Sequence, residues 1–151
     1  MRSGSLTSAN GFVIWSQIPQ ETLVSNAPIR PSDGELAILR VLWKRGPSTV
    51  RDVLTELSKD RDMGYTTVMK LMQIMAVKGL VVRDESARTH IYQAAQEEER
   101  TQSFLLKELM DKAFDGSAAS LVMRAISSTK ADERELDEIQ AFLKRLKKER
   151  S

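Results

Sequence analysis

From Gly64 to Val81 the chain reads GYTTVMKLMQIMAVKGLV: apolar at helical spacing, opened by paired threonines, and free of acid. A helix over roughly Tyr65 to Lys78, stopped by Gly79, places Val68, Leu71, Met72 and Met75 on one side at about 100° per residue. Thr66, Lys70, Gln73 and Val77 follow one another at i, i+4, i+7 and i+11 along the opposite side. Such a helix needs a core against one face and presents hydroxyl, ammonium and amide groups on the other. Between Tyr65 and Arg83 the charged residues are Lys70, Lys78 and Arg83, all basic.

The flanking segments supply that core. Ser32 and Glu35 have capping-box spacing ahead of ELAILRVLWKRG, and Gly46-Pro47 ends the helix. Leu36, Leu39, Leu42 and Trp43 share a face of it. A second helix starts at Ser48 or Thr49, with Val50, Val53, Leu54 and Leu57 on one stripe, and SKDRDMG reads as a loop. After the acid-free helix, Leu80–Arg83 and Thr89–Tyr92 are rich in β-branched and aromatic residues and enclose the turn DESAR. A two-stranded hairpin is marginal alone, so it packs on the helices. Three helices followed by a hairpin make a winged helix-turn-helix.

The remainder is helical. Glu97, Glu98 and Glu99 favour a helix start that runs to Gly116, Ser117 caps a further helix, and Asp132 with Glu135 caps the last. The fold class is mainly α. A winged-helix domain covers 32–94 and a helical dimerisation domain covers 95–151. Residues 1–31, polar and punctuated by Pro19, Pro28 and Pro31, read as a disordered leader. Leu23 and Val24 are natural alternative starts.

Chemistry is bounded by what is missing. With no cysteine and a single histidine, His90, the 151 residues offer no thiolate metal site and no histidine cluster. Motifs for metalloprotease, nucleotide-binding or serine-hydrolase chemistry are absent too. The expectation is no enzyme, no cofactor and no metal. Met69, Met72 and Met75 read as core filler. No apolar run approaches the roughly 18 residues of a membrane span, and GFVIW is too short for a signal peptide. The chain reads as soluble and cytoplasmic.

A helix fits the major groove of double-stranded DNA, and its N-terminal residues reach base edges first. Thr66 and Thr67 stand at that end, Lys70 one turn on, and Gln73 beyond it. Tyr65 offers a hydroxyl to phosphate. Arg88 in the hairpin turn, flanked by Arg83 and His90, is the wing contact, while Asp84 and Glu85 in the same turn weaken its field. At the second helix, Ser48, Thr49 and Arg51 stand where a phosphate would be bound. The plainer readings are that Thr66 caps the helix and that Lys70 and Gln73 are solvated surface. The alternative function is a winged-helix module that binds a protein, which requires an apolar outer face. Here that face is mostly Thr, Lys and Gln, with Met69, Ile74 and Val77 toward its edges.

In the last helix Leu136, Ile139, Leu143 and Leu146 recur at 3, 4, 3, an a/d seam that Phe142 widens. Leu105 and Leu109, then Leu121 and Val122, add apolar positions on the two helices before it. Such a seam can pack back on its own domain or on a second copy, and with no sheet to cover them these residues favour a second copy. The basic end, with Lys144, Arg145, Lys147, Lys148 and Arg150, reads as solvated.

In the order LW..GP.TVRDV, YTTV and KGLV.R, followed by FDGSAASLV, the chain resembles the penicillinase-repressor family of bacteria (the BlaI, MecI and CopY type) from about Gly34 to Lys148. The resemblance implies a homodimeric winged-helix repressor on a palindromic operator. It puts Thr66, Thr67 and Lys70 on the DNA-facing helix and Arg88 on the wing. Three departures matter. Ala87 stands where many relatives have Gly, which leaves the turn less able to take a positive φ. The copper-responsive branch has a C-terminal cysteine cluster, and this chain has no Cys. The β-lactam-responsive branch is inactivated by a regulatory protease at an Asn-Phe bond, and Arg124-Ala125 stands there. A protease partner is thus implied by the family, without its matching scissile pair.

Overall fold

A computed structural model describes residues 29–151. The expected leader lies outside the described residues except for its last three, of which Pro31 is buried. The order is α1 (Asp33–Arg45), α2 (Val50–Leu57), α3 (Tyr65–Lys78), β1 (Val81–Asp84), β2 (Ile91–Ala94), α4 (Glu98–Ala113), α5 (Ala118–Ser128) and α6 (Glu133–Glu149). The chain divides into two units after Leu105, within α4.

The first unit is a winged helix. Both of its first helices begin with a reciprocal capping box. Ser32 Oγ accepts from the Glu35 amide while the Glu35 carboxylate accepts from the Ser32 amide, and Thr49 and Asp52 do the same for α2. α3 ends at Gly79, whose φ of 85° is the left-handed conformation a side chain would strain. α1 packs on α2, α3 and β2, and α3 packs on α2 and β1. Ile38, Val53, Val68, Met72 and Met75 are fully buried where these elements meet. Each such side chain stabilises the fold by about 1.5–3 kcal/mol.

The strands differ from the sequence expectation. β1 and β2 are antiparallel, pairing Val81 with Ala94 and Asp84 with Ile91. The second strand therefore begins two residues later than Thr89. The reason is Tyr92: it is 2% exposed, and its backbone exchanges hydrogen bonds of 2.8 and 2.9 Å with Ser48. This anchors the strand centre at Tyr92 and leaves Thr89 and His90 in the turn. Trp43 Nε1 donates to Gln96 O at 2.9 Å and ties α1 to the chain leaving the hairpin.

The second unit is built differently. Ser117 Oγ caps α5 and Asp132 caps α6, each accepting from the backbone three residues on. Asp115, at φ 53°, and Gly116, at φ 75°, turn the chain out of α4. Between 106 and 151 no residue is buried. No helix among the described residues is long and apolar enough to cross a membrane.

Candidate nucleic-acid interface

The two faces of α3 separate as its pattern requires. Val68, Met72 and Met75 are buried and Leu71 is half-buried. Thr66, Thr67, Lys70, Gln73, Ile74 and Val77 are exposed, Val77 at 89%. The helix is capped by Gly64, with no side-chain cap. Thr66 is thus the second residue of the helix and not its cap. Among the described residues neither threonine hydroxyl has a hydrogen-bond partner, so both are free for an outside acceptor or donor. The first turn of α3 carries no acid. Its unsatisfied amides and positive helix end favour a phosphate there.

Around that helix the remaining candidates take distinct places. The Arg51 guanidinium on α2 lies 5.4 Å over the Tyr65 ring, which joins the two helices of the turn at their exposed edge. Thr49 Oγ1 accepts from the Asp52 amide, leaving its own proton to donate. The Thr49 hydrogen bonds, backbone first, hold the Asp52 carboxyl below its usual range, with Arg45 at 3.3 Å assisting. Ser48 does not belong to this surface: it is 1% exposed and its hydroxyl donates to Gly46 O.

In the wing, Arg88 and His90 are exposed on the turn. Arg83 is half-buried and committed within the protein. A hydrogen bond with Tyr92 is the main reason its guanidinium holds its proton more tightly than usual, and Glu85 pairs with it at 3.1 Å. A phosphate would have to displace Glu85 to use it. The two acids that the sequence places beside Arg88 behave differently. Asp84 is 5% exposed in β1 and accepts from the Ser86 amide at 2.9 Å, shaping the turn. Glu85 is the exposed one, and it faces Arg83. Ala87 is not strained, since Asp115 is the one non-glycine residue with positive φ among the described residues.

One organising contact was not visible in the sequence. The Lys78 ammonium, in the last turn of α3, reaches the Glu35 carboxylate at 2.9 and 3.1 Å. The Glu35 side chain is 2% exposed. Burial alone would raise its pKa. The Ser32 amide and Lys78 outweigh burial, and the carboxyl sits below the ordinary glutamate range. The pair fixes the far end of α3 on the start of α1. The capping-box spacing points to Glu35, but its partner lies 43 residues away.

This fold and surface define a winged helix-turn-helix domain with an acid-free helix face turned outward. The chain belongs to the penicillinase repressor family, whose model matches residues 31–145. It is 35% identical over 106 residues to "Transcriptional regulator BlaI" of Mycobacterium tuberculosis, covering 69% of this chain and 77% of that protein. It is 18% identical over 125 residues to "Penicillinase repressor" of Staphylococcus aureus, covering 83% and 99%. A solution structure of the DNA binding domain of the repressor BlaI superposes with a TM-score of 0.42 at 26% identity, over 48% of this chain and 90% of that one.

Proposed function

We propose that this protein is a sequence-specific DNA-binding transcriptional repressor of the cytoplasm, acting as a homodimer on a palindromic operator. The observation that carries the reading is the outer face of α3. Thr66, Thr67, Lys70 and Gln73 are all exposed there, neither threonine hydroxyl has a partner among the described residues, and no acid stands on the helix. Its relatives are named as a transcriptional regulator and a penicillinase repressor.

In this reading α3 enters the major groove N-terminus first. Lys70 and Gln73 face base edges, and Tyr65, Arg51 and Thr49 lie toward phosphates. Arg88 and His90 reach across the wing. Residues 32–94 bind DNA, and residues 95–151 hold two copies at the spacing of two half-sites. The dimer is supported by the second unit. Leu106, Leu109, Val122, Met123, Leu136, Phe142 and Leu143 are each at least 40% exposed. A soluble chain covers so much apolar surface by association.

The test is fluorescence anisotropy of the full chain on the DNA upstream of its own gene, against scrambled DNA of equal length, at two salt concentrations. Tight, salt-sensitive binding that prefers the upstream fragment is expected. Equal, weak binding to both would favour the protein-interaction alternative.

A further inference from the structure

α6 is polar along its length as well as around it. Its first half carries Glu133, Glu135, Asp137 and Glu138 against one base, Arg134. Its second half carries Lys144, Arg145, Lys147 and Lys148 against one acid, Glu149. Arg134 pairs with Glu138. Glu133, Glu135, Asp137, Lys144, Lys147 and Lys148 have no ion-pair partner among the described residues. The seam between the halves is partly open, with Leu136 at 40%, Phe142 at 50% and Leu143 at 48% exposure and Ile139 and Leu146 half-buried. The acids at the helix N-terminus and the bases at its C-terminus suit the helix dipole. That alone does not explain why an apolar seam runs the length of both halves.

We propose that the α6 helices of two copies pair antiparallel, Leu136 and Ile139 of one packing on Leu146 and Leu143 of the other, with each Glu133 facing the other copy's Lys147. This deepens the homodimer reading and rests on it. With Leu136 and Leu143 at a and Ile139 and Leu146 at d, Glu133, Gln140 and Lys147 all fall at e. In an antiparallel pair the e residues of the two helices line the same flank. A two-fold axis beside Gln140 then opposes Glu133 to Lys147 twice and Gln140 to itself, as a self-complementary contact requires. On the other flank Phe142 meets its own counterpart and Glu135 falls opposite Glu149, which is repulsive. Asp137 and Glu138, lying along Lys144, Arg145 and Lys148 of the other copy, tip the sum toward attraction. A parallel pair would lay the acidic halves along each other and the basic halves likewise. It would hold Glu133 and Lys147 about 21 Å apart along the axis.

Charge reversal separates these arrangements. By sedimentation velocity, Glu133→Lys and Lys147→Glu should each raise the dimer dissociation constant on the order of tenfold, since each replaces two attractive contacts with two repulsive ones. Mixing the two variants should restore association through a heterodimer in which both contacts attract, and E133K/K147E on one chain should restore the homodimer. This rescue shows that loss in the single variants is not misfolding. A dimer indifferent to both substitutions, or losses that neither mixing nor the double variant repairs, would overturn the antiparallel register and leave the homodimer standing. A wild-type chain that sediments as a monomer at every concentration would overturn both. Because the chain has no cysteine, Gln140→Cys supplies a second readout. A short bismaleimide should link it to its own counterpart, and failure to link in the wild-type-like dimer would also reject the register.

Discussion

The two units of this chain use the same material to opposite ends. The first closes Ile38, Val53, Val68, Met72 and Met75 into a core, each at 0% exposure. The second, of similar helical composition, buries no residue from 106 onward. One has solved its packing within a single chain, and its exposed surface is therefore available for a polar ligand. The other has two capped helices and the end of a third whose apolar stripes are largely open among the described residues, and on the proposed reading a second copy completes it. Helix caps and periodicity form helices in both. Only a second layer makes a core.

Removing the second unit should have the largest effect. A chain ended at Asp115 is expected to be monomeric in sedimentation and to lose a hundredfold or more in operator affinity, because two linked half-site contacts become one. A truncated chain that stays dimeric would refute the assignment of the apolar stripes. Next, Ile38→Ala should destabilise the first unit by about 2–5 kcal/mol in thermal or urea unfolding. Leu143→Ala should change unfolding of the isolated protomer little and act on association instead. Similar losses at both positions under conditions that keep the protein monomeric would erase the contrast between the units.

Smaller effects sharpen the proposed DNA-facing surface. Lys70→Ala should weaken operator binding by about 1–3 kcal/mol if Lys70 reads a base. If it touches phosphate, binding to all sequences should fall together, with the salt slope smaller by about one. No change in either would remove Lys70 from the interface. Lys78→Ala, which leaves the buried Glu35 carboxylate with Ser32 but without its cation, should cost roughly 1–2 kcal/mol of stability. Glu35 titrates below its ordinary value of 4.5. Its contribution is therefore complete above that value and lost as pH falls through the lower, folded-state one. Acid unfolding curves of wild type and Lys78→Ala should converge at low pH. Curves that stay parallel would assign the cost to something other than the ion pair.

Much of this architecture is written locally. The Ser32–Glu35 box, the stop at Gly79 and the stripe Val68–Met72–Met75 each depend on residues within a turn or two of one another, and local spacing reports such contacts well. The Thr49–Asp52 box is as local, yet the sequence leaves the cap open between Ser48 and Thr49. What escaped the sequence is non-local. The wing strand is shifted because Tyr92 pairs with Ser48, and that pairing overrides the β-branched signal at Thr89. Asp84 looked like a solvent-facing acid beside Arg88 until burial and the Ser86 amide gave it a structural role. Arg83 looked like a free cation, although Tyr92 and Glu85 engage it. On α3 the exposed positions were legible from the wheel. The free state of the Thr66 hydroxyl depends on the cap falling at Gly64, two residues earlier than a threonine cap would require.

On the proposed reading one unit meets DNA and the other brings two copies together. The most direct measurement is sedimentation of a fluorescent upstream DNA fragment with the full chain and, separately, with the chain ended at Asp115. Two full-length copies should ride on each duplex, and the shortened chain should bind weakly and singly. A shortened chain that binds in pairs with undiminished affinity would contradict the account.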